Sequence, residues 1–167
     1  MNFDNFTIKS QEAIQKAVEI VRNHNEQSIE PVHLLKGILQ VGESLTSYLF
    51  QKLGVNAGLL NNQVDREIES LPKVNGGEPY LSREANDALQ KAIDYSNKLG
   101  DQFVALEAML MGLFLVKSPA SAFRHNRKRT GRSYRRIAKR EESNRSFGRR
   151  HLQCVEQICN QFERTCP

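Results

Sequence analysis

Chemistry-bearing motifs are scarce in this sequence. It has no G-x-x-x-x-G-K-[ST] phosphate loop, no paired-histidine metal motif and no nucleophile elbow, which argues against an ATPase, a zincin-type metalloenzyme or an α/β-hydrolase. No catalytic residue is assigned, no cofactor is implied, and the chain reads as a non-enzyme. Cysteine is confined to Cys154, Cys159 and Cys166. Together with His151 they offer four metal-capable side chains, but the order and spacing match no common zinc module, so the expectation is reduced thiols and no metal. Apolar runs of membrane-spanning length are missing. The start MNFDNFT carries Asp4 and no basic apolar leader, unlike a secretory signal. These absences give the expectation of a cytoplasmic protein with no membrane partner.

What the chain does contain is one stretch written twice. Residues 10–41 and 85–116 align without a gap at an offset of 75, and share Ala13/Ala88, Gln15/Gln90, Lys16/Lys91, Ala17/Ala92, Gln27/Gln102, Leu35/Leu110, Gly37/Gly112 and Val41/Val116. Chance would supply roughly two such identities, so a tandem helical repeat is expected. Thr7 and Ser82 fall at equivalent N-cap positions, where a hydroxyl can accept from an orphan helix N–H. Behind them Ala13, Ile14, Ala17, Val18 and Val21, and then Ala88, Leu89, Ala92 and Ile93, recur at helical spacing. Gly100 suits a left-handed stop after the second long helix, and Asn25 is the weaker candidate for the first. Glu30-Pro31 opens a shorter helix, whose counterpart runs from about Ala105 to Val116. His33 on that helix is expected to be a hydrogen-bonded structural histidine with no functional role.

Ser44 is the expected cap of a third helix running to about Leu53, with Leu45, Tyr48, Leu49 and Leu53 on one face. Asn56 then caps a fourth, carrying Leu59, Leu60, Val64 and Ile68, which should end near Leu71-Pro72. The stretch VNGGEPY at 74–80 reads as a loop between the two units. Repeat one therefore occupies about 1–73, and repeat two begins at about 80. The predicted fold is all-α: two pseudo-repeats of a four-helix unit, the second incomplete, followed by a basic irregular tail.

The incompleteness is visible in the charge. Residues 1–116 hold 10 Lys and Arg against 15 Asp and Glu, a balance of −5, whereas 117–167 hold 14 against 4, a balance of +10. Three arginines precede Lys117 and eleven follow. The span 119–146 should supply two more helices, yet Ala120, Ala122, Phe123, Tyr134, Ile137 and Ala138 recur through no helix at the required spacing. Each lost Leu or Ile removes roughly 1.5–3 kcal/mol of burial. The expectation is a 1–116 domain and a poorly ordered 117–167 tail, with main-helical content over 8–71 and 83–116. The guanidinium density of RHNRKRTGRSYRRIAKR at 124–140 would attract nucleic-acid phosphates. A nucleic-acid-binding protein using this tail is thus the alternative reading, though only Phe123, Tyr134 and Phe147 interleave as stacking groups.

The phrases MNFDNFT, IEPVHLLKGIL at 29–39, LGVNAGLL at 53–60 and GDQFVALEAMLMGL at 100–113 resemble the N-terminal domain of the Clp chaperone ATPases, bacterial ClpB disaggregases in particular. The resemblance covers Met1 to about Val116. It implies an all-helical double repeat that engages unfolded or aggregated polypeptides or adaptor proteins, the ATPase modules lying outside this chain. It also implies substrate-binding roles for Thr7 in NFT, Asp101 in GDQF and Glu107 in ALEAM, whose plain structural duties would be a helix cap, a solvated loop charge and a first-turn carboxylate.

The tail itself is expected to be a shifted reading frame. The peptide IAKREESNR at 137–145 can be encoded so that reading one base later gives LRKGRKVTD, HLQCV at 151–155 permits TYNAL, and QICNQFERTC at 157–166 permits KYAINLNELA. In that order these phrases resemble the end of the family's domain and its linker to the ATPase. A one-base slip keeps everything upstream and replaces everything downstream, which is the pattern of charge, arginine and cysteine seen here. On this expectation the chain is a truncated fragment with impaired client binding.

Overall fold

The computed structural model describes residues 3–52, 56–74 and 77–116. Six helices form there: α1 (Ile8–Asn23), α2 (Pro31–Val41), α3 (Glu43–Lys52), α4 (Ala57–Glu69), α5 (Arg83–Leu99) and α6 (Leu106–Leu115). Two strands of two residues each, β1 (Ser28–Ile29) and β2 (Tyr80–Leu81), complete the described elements. The predicted all-α class is what the protein has. The division at residue 116, the incompleteness expected of the second repeat, the basic run 124–140 and the Cys154–Cys166 group lie outside the described residues, as does Leu53.

Caps set the helix starts as their chemistry dictates. Thr7 accepts from the Ser10 N–H, Ser82 from the Ala85 N–H, and Asn56 from the N–H groups of Gly58 and Leu59. Gly100 stops α5 with φ of 76°. Asn25 takes φ of 54° just beyond α1, where His24 is the C-cap. Pro31 stands in the first turn of α2, where a missing N–H costs nothing.

Helix α1 packs on α2, and α5 on α6, while α2 also meets α3, α4, α5 and α6. The close approach within each pair depends on glycine: a Cβ at Gly37 would run into the Ala13 carbonyl oxygen, and one at Gly112 into that of Ala88. That contact explains why alanine and glycine recur 75 residues apart. Ala13, Ala17, Val21, Leu34, Leu35, Ile38, Ala88, Leu89, Ala92, Met109, Leu110 and Leu113 fill the core, with Val18 and Ile93 partly buried at its edge.

Two expectations need correction. Helix α3 begins at Glu43, one residue before Ser44, and its described buried residues are Thr46 and Phe50, with Leu45 half-buried and Tyr48 exposed, while the Leu49 side chain lies outside the described part. The Thr46 hydroxyl donates to the Gly42 carbonyl, so a polar residue satisfies its own group locally and can face inward. On α4, Leu60, Val64 and Ile68 are buried whereas Leu59 is exposed; the helix ends at Glu69 with Ser70 as its cap, near Leu71-Pro72 as expected.

The connector after α4 is pinned rather than merely looped. Val74 N–H donates to the Asn25 carbonyl, and Tyr80 N–H to that of Gln27. Strands β1 and β2 pair in parallel, Ser28 with Tyr80 and Ile29 with Leu81. A second parallel bridge joins Phe6 to Val104. Both pairings cross between the first four helices and the last two, tying the halves together at two junctions.

Candidate functional site

Thr7, Asp101 and Glu107 come from two distant stretches that the Phe6–Val104 junction brings together. Thr7 N–H donates to the Val104 carbonyl at 3.1 Å, and Val104 N–H to the Asn5 carbonyl at 2.7 Å. Asp101 lies three residues before this anchor and Glu107 three after it, so each backbone is within about 10 Å of Val104 by chain reach alone. Asp101 occupies the turn after α5, its N–H donating to the Ser96 carbonyl. Glu107 is in the first turn of α6, where a carboxylate complements the positive end of the helix dipole. All three side chains are partly exposed.

Two large apolar side chains flank them. Ile8, next to Thr7, is 76% exposed, and Phe103, next to Val104, is 54% exposed. In contrast Phe6 is buried and meets Phe3 edge-on at 5.5 Å. The family resemblance points to the three polar residues and not to Ile8 or Phe103. The available signal was their position: Ile8 falls outside the 13-14-17-21 stripe of α1, and Phe103 adjoins a polar turn.

Beneath the surface lies Ser10, wholly buried. Its hydroxyl donates to the Val104 carbonyl at 2.8 Å and sits 2.8 Å from Thr7 Oγ1. Position 10 continues the buried stripe of α1 backwards, which was the sequence signal for it. Gln11 Nε2 donates to the carbonyls of Phe3 and Phe6, holding the N-terminal turn against the same helix.

His33 is buried beside Glu26, at the other junction. The Glu30 N–H donates to His33 Nδ1 at 3.0 Å, so Nδ1 must be the unprotonated nitrogen and the ring's proton resides on Nε2. Nε2 is 2.8 Å from Glu26 Oε2, with side chains 0% and 3% exposed. The alignment is poor for a hydrogen bond, and Glu26 Oε1 has no hydrogen-bond partner among the described residues. Burial raises the Glu26 pKa to about 7, opposed by Lys73 and reinforced by Glu30. Burial lowers that of His33 to about 4, with His24 adding to the effect. A neutral histidine in a cap is a structural role, as the sequence suggested.

Among the described residues, no cluster of His, Cys, Asp and Glu could hold a metal ion, and no helix is long and apolar enough to cross a membrane. A recess of about 170 Å³ is lined by Lys91, Asp94, Tyr95, Lys98 and Leu115, with charges of both signs.

Comparison with known proteins places this geometry. Residues 5–126 match the Clp repeat (R) N-terminal domain, ten residues past Val116. The chaperone protein ClpB of Bacteroides thetaiotaomicron is 58% identical over 121 residues, covering 72% of this chain and 14% of that protein. ClpB of Porphyromonas gingivalis is 50% identical over the same length and shares. The chain thus spans about one seventh of the length of these relatives. Among solved structures, the Hsp104 N-terminal domain of Candida albicans superposes with a TM-score of 0.67 at 21% identity, covering 73% of this chain and 81% of that one. The N-terminal domain of ClpD from Arabidopsis thaliana gives 0.59 at 19% identity, covering 98% and 97%. The chain belongs to the Clp repeat N-terminal domain family, in the form carried by the ClpB chaperones.

Proposed function

We propose that this chain is a non-catalytic polypeptide-binding module, which captures unfolded or aggregated polypeptides, or an adaptor carrying them, for the ATPase modules of a ClpB-like disaggregating chaperone. One observation carries the reading. The Phe6–Val104 junction sets Thr7 against the 101–107 segment and leaves Ile8 and Phe103 exposed beside it. Exposed apolar side chains rimmed by polar groups suit a transient protein contact, and an unfolded chain offers both apolar side chains and unpaired backbone N–H groups. In this reading Ile8 and Phe103 supply apolar contact, while Thr7, Asp101 and Glu107 accept hydrogen bonds from the client. The two halves are read as copies of one ancestral unit, in keeping with the paired caps, glycines and junctions 75 residues apart. The alternative reading as a nucleic-acid binder rests wholly on residues 124–140, outside the described part of the chain.

The test is the affinity of the full chain for a fluorescein-labelled, reduced and carboxymethylated lactalbumin, read by anisotropy. The triple variant Thr7→Ala, Asp101→Ala, Glu107→Ala should bind at least about tenfold more weakly, from three lost bonds of about 0.5–1.5 kcal/mol each, with helix content retained by circular dichroism. Unchanged affinity would overturn the assignment of these three residues. Binding to labelled DNA that falls steeply with salt, without binding to the lactalbumin, would favour the basic tail instead.

A further inference from the structure

We propose that Ser10 is a positioning residue of this site: its bond to the Val104 carbonyl fixes the Thr7 hydroxyl as a hydrogen-bond acceptor towards the client. The inference rests on the client-binding reading above.

The direction of each bond follows from the available protons. The Ser10 hydroxyl has one, and it is committed to the Val104 carbonyl at 2.8 Å in a site closed to water. The same carbonyl accepts the Thr7 N–H at 3.1 Å, so both of its lone pairs are used. Ser10 Oγ and Thr7 Oγ1 are 2.8 Å apart, a hydrogen bond that still needs a donor. Ser10 has none left, so Thr7 must donate to Ser10. Thr7 Oγ1 also accepts the Ser10 N–H at 3.3 Å. Its proton and one lone pair are then occupied, and one lone pair remains. Thr7 can only accept from a bound partner, so the partner group it receives is a donor such as a backbone N–H or a side-chain amide or ammonium. The carboxylates of Asp101 and Glu107 are acceptors as well, and the face as a whole selects donors.

The other junction provides an internal contrast. Ser82 caps α5 as Thr7 caps α1, but Ala85 stands where Ser10 would be. Its hydroxyl has no such latch, and Ser28 stands where Phe103 would be. Alanine at that place is compatible with the cap and with full burial, which makes Ser10→Ala a conservative probe of the latch.

The experiment measures affinity of the full chain for the same labelled lactalbumin, alongside thermal unfolding, for Ser10→Ala, Thr7→Val and the double variant. Thr7→Val keeps the side-chain shape and removes the hydroxyl. Each single variant should weaken binding by about tenfold, and the double should be no weaker than Thr7→Val alone, because Ser10 acts through the hydroxyl that Thr7→Val removes. Effects that multiply in the double variant would overturn the proposal, leaving Ser10 a merely structural residue. Full affinity in a folded Ser10→Ala protein would also overturn it. If Ser10→Ala fails to fold, Ser10→Cys, near in size but a weak donor, takes its place with the same two outcomes. Failure of the client-binding reading is separately visible: there the Thr7, Asp101, Glu107 triple variant binds as the wild type does.

Discussion

The two junctions that tie this molecule together share a backbone and differ in nearly everything else. Phe6 meets Val104 at one, and Leu81 meets Ile29 at the other; a shift of 75 residues exchanges the members of each pair. The hydrogen bonds follow suit, Thr7 N–H to the Val104 carbonyl at 3.1 Å and Ser82 N–H to that of Ile29 at 3.1 Å. Side chains then set the junctions apart. Exposed Ile8 corresponds to Arg83, exposed Phe103 to Ser28, and latched Ser10 to Ala85. The carboxylates diverge most tellingly. Glu26 and Asp101 are 75 apart; Glu26 is buried against His33, whereas Asp101 is partly exposed and has Ala108 in the position of that histidine. One junction buries its acid beside the capping histidine, and the other leaves its acid partly exposed. The two junctions thus keep one backbone pattern and bury their acids differently.

The largest effect should come where the halves are alike. Gly37→Ala and Gly112→Ala each drive a methyl into a backbone carbonyl of the partner helix, which no rotamer change can relieve. Each should destabilise by about 2–3 kcal/mol, measured by urea unfolding monitored at the helix band. A clear inequality between the two would show that one helix pair carries more of the fold than the other.

The contrast between these glycines and the strands shows what a sequence makes legible. Caps and stops are local: Thr7, Ser82, Asn56 and Gly100 pair with backbone groups within four residues, and their chemistry can be read directly. Stripes of eleven or more residues, as on α1 and α5, average over enough turns to fix the buried face. Helix α3, at ten residues, does not, and packing against its neighbours chose Thr46 and Phe50 over Tyr48. The two-residue junctions were invisible because neither strand is long enough to show alternation and each partner is more than fifty residues away. The candidate site shared that fate in part. Resemblance points to Thr7, Asp101 and Glu107, but their assembly and the roles proposed for Ser10, Ile8 and Phe103 depend on a pairing the sequence does not announce.

The acid at the inward-facing junction can be tested by pH. Burial raises the Glu26 pKa to about 7, above its unfolded value, so its contribution to stability is full at low pH and is lost as pH rises through 7. His33 is lowered to about 4, so its contribution is present above about 6.5 and lost as pH falls towards 4. Between pH 6 and 8 the two partly offset each other in the wild type. Glu26→Gln removes the first and leaves the second, so the variant's stability relative to wild type should grow by about 1 kcal/mol from pH 6 to pH 8. Paired urea melts at the two pH values measure it. A pH-independent difference would mean that Glu26 is charged in the fold across this range and that its burial is compensated.

The smallest effect separates two lysines that the sequence makes equivalent. Lys16 and Lys91 occupy the same place on α1 and α5. Lys16 pairs with Glu19 at 2.6 Å, both side chains about half exposed at 48% and 56%. Solvent and salt screen such a pair, and Lys16→Ala should change stability by no more than about 0.5 kcal/mol. Lys91 is partly buried and donates to the Leu115 carbonyl at 2.8 Å, in the last turn of α6, where carbonyls lack intrahelical partners and the dipole is negative. Removing it strips a charged donor from an otherwise orphan acceptor, and Lys91→Ala should cost about 1 kcal/mol. Added salt should narrow the Lys16 effect more than the Lys91 effect, since the latter is a bond to a carbonyl. Thermal melts in 0.05 M and 0.5 M sodium chloride resolve the comparison. Equal losses in the two variants would place Leu115 among carbonyls already satisfied by water, and the two lysines would then be as equivalent in energy as they are in sequence.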